Sequence, residues 1–546
     1  MNFFNGDVLH FLANSLSLLI LLYAEIHYSF KGIYSRLKMR EPEILADLPH
    51  RIDNSAPLPV LLLIKDADRY PVILHSVEVE FLGKATGLTV QFHFQQLTVS
   101  EKLWHRVLHV EINQKAYGNC QVDVTIHCTI DNKPRTIKND NYVSTGKKPF
   151  HVFISEEKLP APQNWYYGDF HCHTRYTSDQ VEFGAPMAAM IQLSKSLGLS
   201  FFCATDHSYD LDDEPDNFLK RDPRLTKWKN LQLEIAALNS AHPQFVIVPG
   251  EEVSAGNRRN QNIHCLILNN SEFLPGAGDS AEKWLRTKPD LSVAEILSRV
   301  QIDAVCFAAH PGTQPPFLQK WLVRRGIWQF EDLLHPNLHG LQIWNGTEEG
   351  LQKGKEWWVK LLLQGKRIYI SGGTDAHGNF NRFRQIGFPF FTMRENHQHL
   401  FGSVRSCVYV RGSLSLNSLL QGIKNGRMIV TNGPFADILL KNEENENVGM
   451  GESLHGQEFR VNINCETTSE FGALDELKVF LGDLQQKQEY LIKTVKMFDG
   501  QNRFDLQFPI ARKGFSGYIR VELFSKKLDK TFQCLTNPVW MNTKHS

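Results

Sequence analysis

Net charge is the first thing this chain of 546 residues lacks, since 59 lysines and arginines meet 59 aspartates and glutamates. That balance removes the bulk electrostatic attraction on which a dedicated nucleic-acid binder relies, and no nucleic-acid partner is expected. Cysteine is sparse as well. The nine thiols, at 120, 128, 172, 203, 265, 306, 407, 465 and 534, form no C-x-x-C pair, and an odd number spread over so long a chain excludes a disulfide scaffold. Cys203 in SFFCAT and Cys306 in AVCFAAH sit in apolar runs, where a thiol behaves as a small hydrophobe. A reducing, cytoplasmic setting is the expectation. There is no repeat of fixed period and no low-complexity tract, and 42% hydrophobic with 22% charged residues excludes wholesale disorder. The length sets a soft expectation of about two to four domains.

A long unbroken hydrophobic run is missing too. VLHFLANSLSLLILLYA, residues 8–24, has seventeen residues and is interrupted by His10, Asn14 and two serines. A spanning helix needs about 20 apolar residues. A signal peptide needs a cationic start, and MNFFNGD has no basic residue. Positive charge comes only afterwards, at Lys31, Arg36, Lys38 and Arg40, which would hold the following chain in the cytoplasm if the segment inserted. Residues 1–45 therefore read as a hydrophobic helical segment packed on the protein, with a membrane anchor through 8–24 and, after it, a cleaved signal as the alternatives.

From Leu58 onward the pattern is two-fold. VEVEF (77–81), LTVQFHF (88–94), RVLHVEI (106–112) and QVDVTIHCTI (121–130) alternate apolar with polar residues as half-buried strands do. They predict an N-terminal β-sandwich over 55–160, followed by the proline-bearing linker SEEKLPAPQNWYYG. The rhythm then changes. Pro186 opens a helical stretch closed by Gly198, and short apolar runs (LSFFCA, FVIVPG, IHCLIL, DAVCFAAH, GLQIWN, RIYISGG) follow, many preceded by helix-like segments. Such alternation predicts a parallel sheet covered by helices, most simply a barrel, over 165–435. After Gly433–Pro434, FRVNINC, LKVFLG, FDLQF and GYIRVELF return to two-fold alternation and predict a β-sandwich-like domain over 436–546.

The chemistry lies where those central runs end or begin. GDFHCHT offers His171 and His173, two apart and so on one side of a strand. SFFCATDH ends in Asp206–His207, FVIVPGEE in Glu251–Glu252, NIHCLIL carries His264, AVCFAAHPG carries His310, and IYISGGTDAHG carries Asp375 and His377. In a parallel barrel, strand C-terminal ends converge on one mouth. Six histidines and two or three carboxylates gathered there call for cations, and this nitrogen and oxygen donor set suits zinc, manganese or iron. The number of ligands exceeds one four-coordinate ion and implies two or three. Isolated histidines such as His75, His109 and His242 are given no role, GMGESLHG reads as a turn, and the WYY and EWWVK clusters as packing.

The ordered set GDFHCHT, TDH, PGEE, H, AHPG and GGTDAHG resembles the PHP (polymerase and histidinol phosphatase) metallohydrolase family. The continuation RGSLSLNSLLQGIKNGRMIVTNGP resembles the branch named for the carbaryl hydrolases CehA and McbA. The resemblance covers about 165–440 and leaves 1–150 outside. It implies an α/β fold, a distorted PHP-type (β/α)7 barrel flanked by the two β-domains. It also implies His171, His173, His207, Glu252, His264, His310, Asp375 and His377 as metal ligands, with Glu252 chosen over Glu251 by the G-x-E register. In TRYTSDQ, Asp179 matches a further family ligand, while Gln180 stands where the family has glycine.

The resulting expectation is a hydrolase that uses a metal-bridging hydroxide, first as a phosphoesterase. The alternative is a carbamate, ester or amide hydrolase. A reading of another class has the barrel idle and serving as a scaffold for binding by the β-domains. Asp206 is a candidate acceptor that orients an imidazole, or else a turn-forming aspartate. Arg175, Arg258, Arg259, Arg382 and Arg384 lie near ligand segments and tilt the expectation toward a small anionic substrate. Arg382 and Asn345 are the candidates for contact with it, Asn345 as a donor to a developing oxyanion.

Overall fold

The computed structural model describes residues 41–543, except 54–55, 83–86, 113–116, 142–147, 178–183, 216, 279–286, 316–319, 322, 383–384, 388–391, 395–398, 498–499 and 512–514. The apolar stretch 8–24, Asp179 and Arg384 lie outside the described residues. Among those described, no helix is long and apolar enough to cross a membrane. All nine cysteines are buried free thiols.

The N-terminal unit is built from two sheets. Glu43–Asp47, Leu58–Lys65 and Leu103–Val110 form one, and a six-stranded sheet centred on Val72–Leu82 and Gly118–Ile130 forms the other. The alternation of VEVEF is realised as written, with Val77, Val79 and Phe81 in the shared core and the glutamates outward.

The central strands, numbered from the first of them, are β1 (Trp165–Cys172), β2 (Phe201–Ala204), β3 (Val246–Gly256), β4 (Asn262–Leu268), β5 (Val305–Ala309), β6 (Gly340–Asn345), β7 (Tyr369–Gly373), β8 (Arg405–Tyr409) and β9 (Met428–Thr431). They do not make the expected (β/α)7 barrel. The described residues are mostly β, 48% strand and 15% helix, and the sheet order is β7-β6-β5-β4-β3-β2-β1-β8-β9. Two causes defeat the barrel. The link between β3 and β4 is only Asn257–Gln261, where the Asn257 side chain accepts from the backbone of Arg259 and Gln261, both at 2.9 Å. A parallel crossover needs a dozen or more residues, so β4 runs antiparallel to β3, and β5 antiparallel to β4. Second, β8 takes the free edge of β1 in antiparallel register, so the sheet cannot close on β7. It continues instead through β9 to Lys530–Thr536 and the C-terminal strands. The result is an open sheet curled into a half-barrel.

Apolar runs on both faces had suggested parallel strands. They are apolar because both faces are covered, with helices such as Met187–Ser196 and Leu351–Leu362 contributing to the packing. In the C-terminal region Phe435–Asn442, Asn447–Val448, Glu458–Glu466 and Arg503–Ala511 form a four-stranded sheet. Phe459, Val461, Ile463 and Cys465 point into its core.

Candidate metal centre

The curl of the sheet gathers the ends of β1 to β7. His171 on β1 and His173 just beyond its end share one side, while Phe170 and Cys172 belong to the apolar clusters. A single bridge extends the β2–β3 pairing and sets His207 beside Glu252. Strand alternation separates the two glutamates. Glu251 is held by Leu274 N–H at 3.2 Å and Ser208 Oγ at 3.3 Å, and burial pushes its carboxyl up to about 8. Glu252 faces the imidazoles. His264 comes from the antiparallel β4, where it pairs with Ser254.

His310 and Asp375 follow β5 and β7 with φ of 33° and 55°. This left-handed backbone costs about 1–3 kcal/mol at a non-glycine residue, and such strain clusters at functional sites. Gly373 permits the close approach behind them, because a Cβ there would lie 2.5 Å from His171 N. Asp375 N–H then donates to His171 O at 2.7 Å, and His173 N–H to Ala376 O at 2.9 Å.

Glu252 is the hub. Its Oε2 lies 3.0 Å from His207 Nδ1, 3.4 Å from His171 Nε2 and 3.5 Å from His173 Nε2. Its Oε1 meets His264 Nδ1 and lies 3.3 Å from His310 Nε2. Asp375 Oδ1 stands 3.0 Å from His173 Nε2 and 3.3 Å from His171 Nε2. His377 stacks on His173 with ring centroids 4.1 Å apart. Eight of the nine expected ligands are thus brought together, and the ninth, Asp179, is not among the described residues. Seven of the eight fall into three overlapping groups of donor atoms: His171, His173, Glu252 and Asp375; His207, Glu252 and His264; and His173, His207 and His377, with His310 beside them at Glu252 Oε1.

Burial alone would raise both carboxyls, but the surrounding imidazoles hold Glu252 and Asp375 well below the usual carboxylate range. Burial depresses His173 and His310, whereas Asp375 and Glu252 overcome burial at His171 and push it up to about 10. His171 Nε2, His207 Nδ1 and Glu252 Oε2 are buried without a hydrogen bond of acceptable geometry. Leaving such atoms unsatisfied costs about 1–3 kcal/mol each, and more for charged groups. A divalent ion satisfies imidazole lone pairs and carboxylate oxygens together, so the residues present fit the expected metals.

The remaining expected residues fall differently. Asp206 does not touch an imidazole. It accepts from Thr174 N at 2.8 Å, Thr174 Oγ at 2.8 Å and Thr177 N at 2.9 Å. Thr177 Oγ in turn sits 3.2 Å from His173 Nδ1. Asn345 donates to Asp375 Oδ2 at 3.1 Å instead of lining an open oxyanion site. Arg382 is away from the cluster, paired with Asp140 at 2.9 Å and lying over Phe150. Arg175 pairs with Glu234, Arg258 lies 3.8 Å from Asp332, and Arg259 donates its backbone N–H to Asn257.

Three participants escaped the sequence reading. Asp169 accepts from His171 N, Thr374 N and Gly402 N at 3.1, 3.0 and 2.9 Å. Its phase with His171 and His173 was a usable signal. Gln342 accepts from His171 Nδ1 at 2.9 Å. Arg325 reaches the ring of His264, with Nη2 at 2.9 Å from Nδ1. Its segment is pinned by Asn262, which donates to Arg324 O at 3.0 Å and accepts from Gly326 N at 2.7 Å. Nothing in KWLVRRGIW signals that arrangement.

No protein-family model matches the chain, and no curated protein matches it. Among solved structures, the β-glucuronidase of Bacteroides uniformis is similar at 9% identity and a TM-score of 0.19, over 92% of this chain and 61% of that one. The β-glucuronidase of Parabacteroides merdae is similar at 9% identity and a TM-score of 0.19, over 92% of this chain and 64% of that one. The chain thus spans less than two thirds of the length of either. Likenesses at that TM-score carry no argument about fold or activity.

Proposed function

We propose that the chain is a metal-dependent hydrolase with the chemistry of the PHP metallohydrolases, carried on an open sheet and acting on a phosphoester. The supporting observation is the convergence of Glu252 and Asp375 with the imidazoles of His171, His173, His207, His264 and His310. His171, His173, Glu252 and Asp375 would hold one ion, and the other two groups, which share His207, would hold one or two more. When bound, such ions bring the pKa of a coordinated water toward neutrality and withdraw electron density from a substrate oxygen.

The chain's own residues supply orientation and access. Asn345 fixes one oxygen of Asp375, leaving the other toward His171 and His173. The Asp375 side chain is 23% exposed and that of His310 14%, while His171 and His173 are wholly buried, so a substrate enters from the Asp375–His310 side. Arg325, beside His264, offers a guanidinium to anionic oxygens there.

One observation favours hydrolysis of a carbamate, ester or amide as a second reading. Three of the arginines expected to bind an anion are drawn to Glu234, Asp332 and Asp140 instead. Turnover of an aryl phosphate beside an aryl carbamate, by protein loaded in turn with manganese, zinc and iron, separates the two. The phosphoesterase reading predicts metal-dependent phosphate turnover and a KM raised about tenfold or more in Arg325→Ala, in line with the loss of a charge-assisted hydrogen bond. Turnover of the carbamate alone, indifferent to Arg325→Ala, selects the second reading. Full activity after exhaustive chelation contradicts both.

A further inference from the structure

We infer that Gln342 and Asn345 are positioning residues that join the His171 imidazole to the Asp375 carboxylate through one directed chain of hydrogen bonds. The inference rests on the metallohydrolase reading and adds to it how two ligands of one ion are oriented together. Residues three apart on a regular strand face opposite sides. On β6 the register against β7 shifts between Gln342 and Trp344, so that Gln342 pairs with Ser371 and Asn345 with Gly373. This bulge returns both side chains to the same side, toward Asp375, which lies two residues beyond the end of β7. Both are buried, Gln342 completely.

Valence fixes the direction of the chain. An ionised carboxylate only accepts, so Asn345 presents its amide Nδ2 to Asp375 Oδ2, at 3.1 Å. Its Oδ1 then faces Gln342, which presents Nε2 to it at 2.8 Å. The remaining Gln342 Oε1 faces His171 Nδ1 at 2.9 Å, and that nitrogen must carry the proton. His171 therefore directs Nε2 toward Glu252 and Asp375, where it lies 3.4 and 3.3 Å from their oxygens. Reversing either amide would set two acceptors against each other. The two ends of the chain, His171 and Asp375, belong to the same group of donor atoms.

The test uses isosteric changes in the full-length protein. Gln342→Met removes the acceptor for His171 together with the donor to Asn345, and Asn345→Leu removes the donor to Asp375, neither adding charge. Each is expected to weaken binding of cobalt(II) or zinc at one ion per chain by about 10- to 100-fold, the usual worth of an orienting partner. Competition against a chromophoric chelator reads the affinity, and the cobalt absorption spectrum reads the geometry. Gln342→Met with Asn345→Leu is expected to cost little more than either single break, because a chain once broken is broken. In the metal-free wild type a protected Nδ1–H resonance of His171 is expected, and its loss is expected in Gln342→Met. Unchanged affinity, spectrum and resonance in variants of a wild type that binds metal overturn the relay alone. A wild type that binds no divalent ion overturns the relay together with the reading beneath it.

Discussion

Glu252 and Glu251 are neighbours in sequence and opposites in environment, and the difference is one of strand phase. Glu252 has imidazoles against both oxygens and is held ionised, whereas Glu251 is enclosed with Ser208 and Leu274 and pushed up to about 8. Glu252→Gln is expected to lose bound metal and to cut turnover by more than the roughly 10- to 100-fold that an orienting partner is worth. Glu251→Gln is expected to retain the metal. Metal analysis of the two purified variants checks this pair. The clustered residues were legible because nearly all stand at one end or the other of an apolar run, and side-chain period places them. The arginines were not. Arg382 looked close to the site because it follows His377 by five positions, yet its partner Asp140 comes from the N-terminal unit, a contact no local pattern encodes. Arg325 escaped for the converse reason, being brought to His264 by backbone bonds to Asn262.

At the level of elements, the ends of β1 and β7 meet without a ladder between them. The bridge Cys172–Ala376, the backbone bonds from Thr374 N, Asp375 N and His173 N, and the bonds from Thr374 to the Asp169 carboxylate hold them. Gly373 makes this possible, so Gly373→Ala is expected to push β7 outward from His171 N and from Asp169 Oδ1, the latter 2.9 Å from the added Cβ. The expected cost is about 1–3 kcal/mol of stability, as for other overpacked sites, with loss of bound metal. Thermal unfolding and metal content measure both effects. Strands, their alternation and the helix after Pro186 were readable from sequence, because those signals are local. Strand order was not. Whether β8 or β7 takes the second edge of β1 depends on pairing across a long stretch of chain, and the tight Asn257–Gln261 turn looks like any polar loop until its hydrogen bonds are seen.

Across the whole molecule, the N-terminal unit is bound to the segment that follows His377. Asp47 accepts from Phe380 N and Asn381 N, each at 2.9 Å, and Arg382 reaches Asp140. Close by, buried Arg51 ties the same unit to Glu470 of the C-terminal region and to Leu197 O. His50 lies in this junction with Nε2 3.2 Å from Phe401 O. Burial, then Arg405 and Arg51, lowers it from 6.5 to about 3. Between those two values the unfolded chain binds the proton that the folded chain refuses. Stability from this group therefore falls as pH drops from about 6.5 toward about 3 and is unaffected above that window. His50→Gln, which keeps a donor and cannot titrate, is expected to flatten the acid limb of the stability profile while leaving pH 8 unchanged. Denaturation midpoints across that range check it.

The central claim is that the sheet ends form a centre for divalent ions, and counting ions tests it most directly. Wild-type protein and the His171→Ala/His173→Ala variant would be loaded with manganese, zinc or iron, freed of excess metal, and analysed for metal per chain. Two or three ions are expected in the wild type and at least one fewer in the variant, with the strand content of both unchanged by circular dichroism. A folded wild type that retains no ion, or a variant that retains as many as the wild type, would contradict the account.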